Sequence, residues 1–92
     1  MPFRTSDRFY LVNPDIIGYL RYTVESYDGA AVMSTVVPRQ GLVRLSVARG
    51  CEDVLENLLA DLVERDGLVI REVDERTARE IQALDAGRTD KD

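Results

Sequence analysis

The spacing of apolar residues constrains the fold of this chain more than any other feature, because it switches repeatedly between the period of a strand and that of a helix. Short runs rich in β-branched and aromatic residues alternate with longer segments in which apolar residues recur every three or four positions. The order predicts β-α-β-β-α-β and a further short helix. The strands are expected at residues 8–12, 30–37, 42–48 and 68–73, and the helices at 15–28, 51–66 and 74–84.

The start and end of the first helix are marked by turn-forming residues. Asn13 can cap the helix, Pro14 suits its first turn, and Asp15 faces the positive end of the helix dipole. Asp28-Gly29 ends it, since glycine readily adopts the left-handed conformation of a helix C-cap. One stripe recurs at helical spacing and should be buried: Ile16, Ile17, Leu20, Val24 and Tyr27.

The third strand and the second helix have the clearest two-sided patterns. In the strand, Val43, Leu45 and Val47 point to one side, and Arg44 and Ser46 point to the other. The helix is bounded by glycines, and its apolar face is predicted to be Val54, Leu55, Leu58, Leu59, Leu62 and Val63.

These elements predict an α+β fold of the ferredoxin-like βαββαβ type. It is a sandwich in which a four-stranded antiparallel sheet carries both helices on one face, with the first and third strands central. Residues 1–74 should form this domain, and residues 75–92 a C-terminal helix and a frayed tail. Asp74 or Thr77 can cap that helix, whose narrow apolar stripe is Ala78, Ile81 and Leu84.

Charge and length bound the partners. Ninety-two residues make one domain with a thin core, so a dimer interface would help to stabilise it. The net charge of −5 makes a nucleic-acid partner unlikely in any general sense. No apolar run is long enough to span a membrane and no signal peptide is visible, so we expect a cytoplasmic protein.

The residue types exclude most catalytic chemistry. The chain has one cysteine, Cys51, and no histidine, which leaves no ligand set for a zinc or iron–sulfur site and no His-based nucleophile pair. We therefore expect no metal, no cofactor and no enzyme activity. Cys51 stands at a helix start, where a reactive thiolate or an unreactive cap-region residue are the two interpretations.

The sheet face opposite the helices is the first candidate surface. If Phe9 and Leu11 face the helices, the open face should carry arginines and an aromatic residue: Arg8, Tyr10, Val12, Arg44, Ser46 and Arg71. Such a face could bind an anion or an acidic partner. Alternatively, the acidic tail helix or a second subunit covers it, which is the interpretation we favour, with Glu75, Glu80 or Asp85 near the arginines. Tyr10, Tyr22 and Arg44 are the candidate interface residues.

The first helix offers a second surface. Tyr19 and Tyr22 lie off its core stripe and could line a ligand or partner surface, or pack at the boundary between the helices. Gly18 lies opposite the stripe and either admits a close approach or is a tolerated surface glycine.

Residues 8–73, beginning RFYLVNPDIIGYLRYTVESYDGAAVMSTV, resemble in layout the small amino-acid-binding regulatory modules called ACT domains. The resemblance implies a small polar ligand, such as an amino acid, where the first strand turns into the first helix, often between subunits. The residues there are Asn13, Asp15, Ile16 and Gly18, with Tyr19 nearby.

The whole chain also resembles an uncharacterised family of small stand-alone bacterial proteins. The resemblance rests on the aromatic first strand, on Glu25-Ser26-Tyr27-Asp28-Gly29 and on Gly50-Cys51-Glu52. The resulting hypothesis is a cytosolic, dimeric, ACT-like regulatory or ligand-sensing module. The alternative is a protein-interaction adaptor without a small-molecule ligand.

Overall fold

The computed structural model describes residues 5–27 and 29–87 and confirms the predicted α+β fold. Asp28 of the predicted helix stop and residues 88–92 of the predicted tail lie outside the described residues. The strands are β1 (Thr5–Val12), β2 (Ala31–Val37), β3 (Leu42–Ala48) and β4 (Ile70–Val73). The helices are α1 (Ile17–Glu25), α2 (Glu52–Asp66) and α3 (Glu75–Gly87), and 3-10 turns at Pro14–Ile16 and Pro38–Gln40 precede α1 and β3.

The sheet is antiparallel, with the strand order β2-β3-β1-β4. The central positions of β1 and β3 are as predicted. Tyr10 on β1 pairs with Val43, and Leu45 on β3 pairs with Met33 of β2. β2 and β4 are therefore the two edges of the sheet.

One face of the sheet packs against α1 and α2 and contains the main core. Val43, Leu45 and Val47 point towards these helices, as the alternation in β3 predicted. Leu20 and Val24 of α1 are buried there with four leucines of α2, namely Leu55, Leu58, Leu59 and Leu62. The predicted apolar stripes of the two helices are wider than the surfaces that they bury against the sheet. Tyr27, Val54 and Val63 belong to these stripes but remain 44%, 41% and 43% exposed.

The other face of the sheet packs against α3. Ala78 is fully buried there and Ile81 partly, together with a second apolar cluster from the sheet: Phe9, Leu11, Val36, Val37, Leu42 and Val73. A bulge between Thr35 and Val37 allows two consecutive valines of β2 to join this cluster.

The predicted orientation of β1 is wrong. Tyr10 and Val12 lie in the core beneath α1 and α2, whereas Phe9 and Leu11 face α3. The segment Arg8–Val12 is apolar at four consecutive positions, so its alternation does not distinguish the two faces when both are covered.

Several element boundaries also differ from the predictions. β1 begins at Thr5 instead of Arg8, and α1 spans Ile17–Glu25 instead of 15–28. β4 begins at Ile70 instead of Leu68. α3 continues to Gly87, so that Asp85, expected in a frayed tail, is helical and half-buried. The predicted cap is confirmed at Asp74, whose Oδ1 accepts a hydrogen bond of 2.8 Å from the Thr77 N–H.

Gly41 fixes the connection between β2 and β3. Its φ is +76°, and a Cβ atom at this position would overlap the carbonyl oxygen of Val12. The same close approach lets the Val12 N–H donate to the Gly41 carbonyl at 2.9 Å. A side chain at position 41 would therefore separate β1 from the turn that leads into β3.

Candidate functional site

The turn between β1 and α1, where the resemblance to ACT domains predicts a ligand, already uses its backbone donors. The Asn13 Oδ1 accepts from the Asp15 N–H at 3.0 Å, and the Asn13 carbonyl accepts from the Ile16 N–H at 3.0 Å. The Ile17 N–H donates to the Pro14 carbonyl. These three amides are therefore engaged within the turn and are not free to receive a carboxylate.

The other residues of the predicted ligand site do not converge on one point. Asp15 and Gly18 are exposed, and a Cβ built on Gly18 would meet no atom within 4 Å. Tyr19 lies beside α2, where its hydroxyl donates to the Asp66 Oδ2 at 2.7 Å. This bond to a carboxylate raises the pKa of Tyr19 above its usual value. Ligand binding at this turn stays a prediction.

Three tyrosines project from the outer side of α1 and its C-terminal end. Tyr19, Tyr22 and Tyr27 are 48%, 75% and 44% exposed, and we call them the tyrosine face. Tyr19 and Tyr27 border a groove of about 260 Å³ between the two helices, which α2 lines with Leu58, Asp61, Leu62, Arg65 and Asp66. An exposed tyrosine offers apolar area and a hydrogen-bonding tip to a partner.

The three predicted interface residues lie in different environments. Tyr22 is exposed, whereas Tyr10 is 4% exposed and lies in the main core, where burial raises the pKa of its hydroxyl. Arg44 is half-buried on the face that α3 packs against, and its Nε finds no hydrogen-bond acceptor among the described residues. Among the described residues of α3, the carboxylate that reaches an arginine outside the helix belongs to Asp85, whose Oδ1 lies 3.3 Å from the Nε of Arg39, without hydrogen-bond alignment.

The β2 edge is closed by two charged side chains of α1. The Nη1 of Arg21 donates to the Met33 carbonyl at 3.1 Å, and the Glu25 carboxylate accepts from the Met33 N–H at 3.2 Å. The Nη2 of Arg21 also donates to the Thr35 Oγ1 at 2.7 Å. We call Arg21 and Glu25 the edge clamp, because they occupy the backbone groups that an added strand would need.

Sequence reasoning missed the edge clamp. Arg21 and Glu25 are four residues apart on α1, a spacing that by itself indicates only a solvated pair on a helix surface. Their position on the flank of α1, between the core stripe and the outer surface, was the available signal.

The β4 edge has no comparable closure among the described residues. The Val12 N–H points towards the β3 side, where it bonds to the Gly41 carbonyl, so Val12 makes no backbone hydrogen bond to its β4 partner, Ile70. In a regular antiparallel ladder, Ile70 and Glu72 therefore direct their N–H and C=O groups away from β1. No hydrogen bond to these outward groups is present in the described part of the chain.

A groove of about 440 Å³ runs along this open edge, between β4 and α2. Its lining, which we call the β4 groove, is Arg8, Tyr10, Glu56, Leu59, Ala60, Val63, Glu64, Ile70 and Glu72. Arg8 donates to the Glu56 carboxylate at 2.9 Å, which raises the pKa of Arg8. The sequence patterns gave no indication of this groove, because its residues come from three separate elements.

Cys51 precedes α2 and is half-buried, with its backbone N–H donating to the Ala48 carbonyl at 2.9 Å. Within residues 5–27 and 29–87, no three His, Cys, Asp or Glu side chains are grouped to hold a metal ion. No helix in the same ranges has the length and apolar character needed to cross a bilayer.

Comparison with known proteins identifies a family. No curated protein and no solved structure matches the chain. A family model described as a domain of unknown function, DUF4911, matches residues 10–65. The match begins within β1, ends near the last turn of α2 and covers more than half of the chain. The chain therefore belongs to the DUF4911 family of domains of unknown function.

Proposed function

We propose that the protein is a small bacterial protein-interaction module that acts in the cytoplasm as a homodimer and carries no catalytic site. The observation that supports this proposal best is the tyrosine face, in which Tyr22 is 75% exposed. Tyrosine is enriched among the residues that contribute most binding energy at protein interfaces. Such a concentration of exposed aromatic residues on one short helix and the residues just after it favours a partner surface.

The remaining surfaces argue for the helix layer as the dimer contact. The edge clamp occupies the β2 edge, and α3 packs on the face opposite α1 and α2. A twofold contact across the tyrosine face also suits the charges beside it. Asp61 and Arg65 approach each other at 3.8 Å and are exposed, so Asp61 of one copy could pair with Arg65 of the other.

The test is the mass in solution as a function of concentration, measured by sedimentation equilibrium. We expect the native chain to approach twice its mass of 10.4 kDa. Tyr22→Ser should weaken dimerisation at least about tenfold, as truncation of a central interface tyrosine does. Val32→Ser, which changes an apolar residue that is 61% exposed on the opposite sheet face, is the matched control and should leave the mass unchanged. A monomer at high micromolar concentration would refute the proposal.

A second candidate is an ACT-like regulatory or ligand-sensing module. Its support is the exposed carboxylate of Asp15 at the strand-to-helix turn, within a βαββαβ layout. That carboxylate could pair with the ammonium of an amino acid, whose polar groups would also meet Asn13. We rank this candidate second because the nearby amides are already engaged.

A thermal-shift screen of the amino acids tests the sensing hypothesis. A ligand present at 100 times its Kd should add about 2.7 kcal/mol to the free energy of unfolding, and Asp15→Ala should abolish the effect. If no amino acid at millimolar concentration raises the Tm, the sensing hypothesis is wrong.

A further inference from the structure

We propose that the β4 groove is a strand-addition site for an extended segment of a different protein, in which an apolar side chain lies between two basic ones. The segment would lengthen the sheet at β4 and place alternate side chains over α2. This interaction is separate from the homodimer contact proposed for the tyrosine face.

The backbone supplies the first part of the argument. Ile70 and Glu72 direct both their N–H and C=O groups outward, and these groups have no partner among the described residues. At the opposite edge the corresponding groups of Met33 are bonded to Arg21 and Glu25. The sheet is thus able to accept a further strand along β4, whereas it is blocked at Met33.

The side chains beside the edge supply the second part. Ile70 points from β4 towards α2, where Leu59, Ala60 and Val63 line the groove. Val63 is 43% exposed. An apolar side chain of an added strand, placed opposite Ile70, would cover these aliphatic atoms and remove them from water.

Charge determines which segment fits. The groove contains three carboxylates, from Glu56, Glu64 and Glu72, and one cation, Arg8. Arg8 already donates to Glu56 at 2.9 Å, so the other two carboxylates remain exposed to an incoming chain. A lysine or arginine that flanks the apolar residue would lie opposite Glu72, where unlike charges stabilise a cross-strand pair.

A second copy of this chain fits the edge poorly. An antiparallel twofold pairing centred on Arg71 or Glu72, the two middle residues of β4, places that residue opposite its own counterpart, because paired residues must point to the same face. Like charges directly opposite one another destabilise a strand pair.

The experiment is an NMR titration of the full ¹⁵N-labelled chain with an acetylated and amidated peptide, Thr-Lys-Thr-Val-Thr-Lys. Its lysines and valine share one side of an extended strand. We expect saturable shifts of the Ile70 and Glu72 amides, and binding at least about tenfold weaker for the peptide with glutamate in place of both lysines. Two further peptides each carry N-methyl groups on every second backbone amide, in the two possible alternating sets. N-methylation of the set that faces β4 should abolish binding, and N-methylation of the other set should not.

Two protein variants complete the test. Glu72→Gln should weaken the lysine peptide several-fold. Arg71→Ala alters the same strand on its opposite face and should leave the affinity unchanged. Equal affinity for the two peptides, shifts that avoid β4, or indifference to N-methylation of both sets would overturn the proposal. So would shifts of Ile70 and Glu72 that depend on protein concentration without peptide, since a second copy would then occupy the edge.

Discussion

The two edges of the sheet differ in what terminates them. At β2, Arg21 and Glu25 of α1 bond to the carbonyl and the N–H of Met33, and thus take the place of a neighbouring strand. At β4, the outward groups of Ile70 and Glu72 meet no partner in the described residues and border an apolar groove with an acidic rim. One edge is closed by the chain itself, and the other is left able to pair.

This difference limits how copies of the domain can join edge to edge. A sheet with two open edges can add copies at both sides, whereas a sheet with one closed edge can make only one such contact. In the strand addition that we propose, the acidic rim favours a cationic segment. Closure of β2 also ties α1 to the sheet, so the clamp contributes to stability as well as to specificity.

Removal of the clamp acceptor should have the largest effect. Glu25→Ala leaves the N–H of Met33, a residue only 2% exposed, without its acceptor. The expected loss is about 1–3 kcal/mol in the free energy of unfolding, measured by urea denaturation. Glu25→Gln retains an acceptor oxygen and should cost clearly less. Equal losses for the two variants would mean that the hydrogen bond is not the source of the effect.

The second contact of Arg21 should matter less. Thr35→Val preserves the shape of the side chain but removes the Oγ1 that accepts from the Arg21 Nη2 at 2.7 Å. Since Arg21 keeps its bond to the Met33 carbonyl, we expect a loss of about 0.5–1 kcal/mol in the same urea assay. A loss as large as that of Glu25→Ala would contradict a clamp centred on Met33.

The connection from the open edge into α3 should respond to pH. Hydrogen bonds from Thr77 lower the pKa of Asp74 below its usual value. The stability that this cap contributes is therefore present above the pKa of the unfolded chain and is lost as pH falls through the lower pKa of the folded one. Asp74→Asn should be less stable than the native chain at neutral pH, and the difference should shrink towards about pH 3. A difference that grows on acidification would contradict this assignment.

The smallest effect is expected at the open edge. Glu72 is exposed and forms no hydrogen bond or ion pair among the described residues. Glu72→Gln should thus leave the free energy of unfolding within about 0.5 kcal/mol of the native value. A large destabilisation would mean that β4 is held by contacts other than its pairing with β1.

The elements of this fold were predictable because helix and strand periods alternate clearly, and the cap at Asp74 followed from its residue type. Asn13 was expected to cap the first helix, but it caps the 3-10 turn at Pro14–Ile16 that precedes α1. The orientation of β1 was not, since Phe9 and Tyr10 are equally suited to a buried face and both faces of the sheet are covered. An alternation of apolar and polar residues in β1 would have revealed its orientation only if one face of the sheet met water.

The candidate surfaces were predictable only in part. Exposure of Tyr22 followed from its place off the core stripe of α1. The edge clamp and the β4 groove depend on which strands lie at the edges and on which side of α1 faces β2. Local spacing does not contain that information, because it arises from the register of strands that are distant in the sequence.

Amide hydrogen exchange of the native chain, followed residue by residue by NMR, tests the contrast between the edges most directly. If the clamp closes β2 and β4 is open, the Met33 amide should exchange at least about 100-fold more slowly than the amides of Ile70 and Glu72. Glu25→Ala should remove most of this protection while leaving Ile70 and Glu72 unchanged. Fast exchange of Met33 in the native chain, or protection of Ile70 and Glu72 equal to that of Met33, would contradict the account.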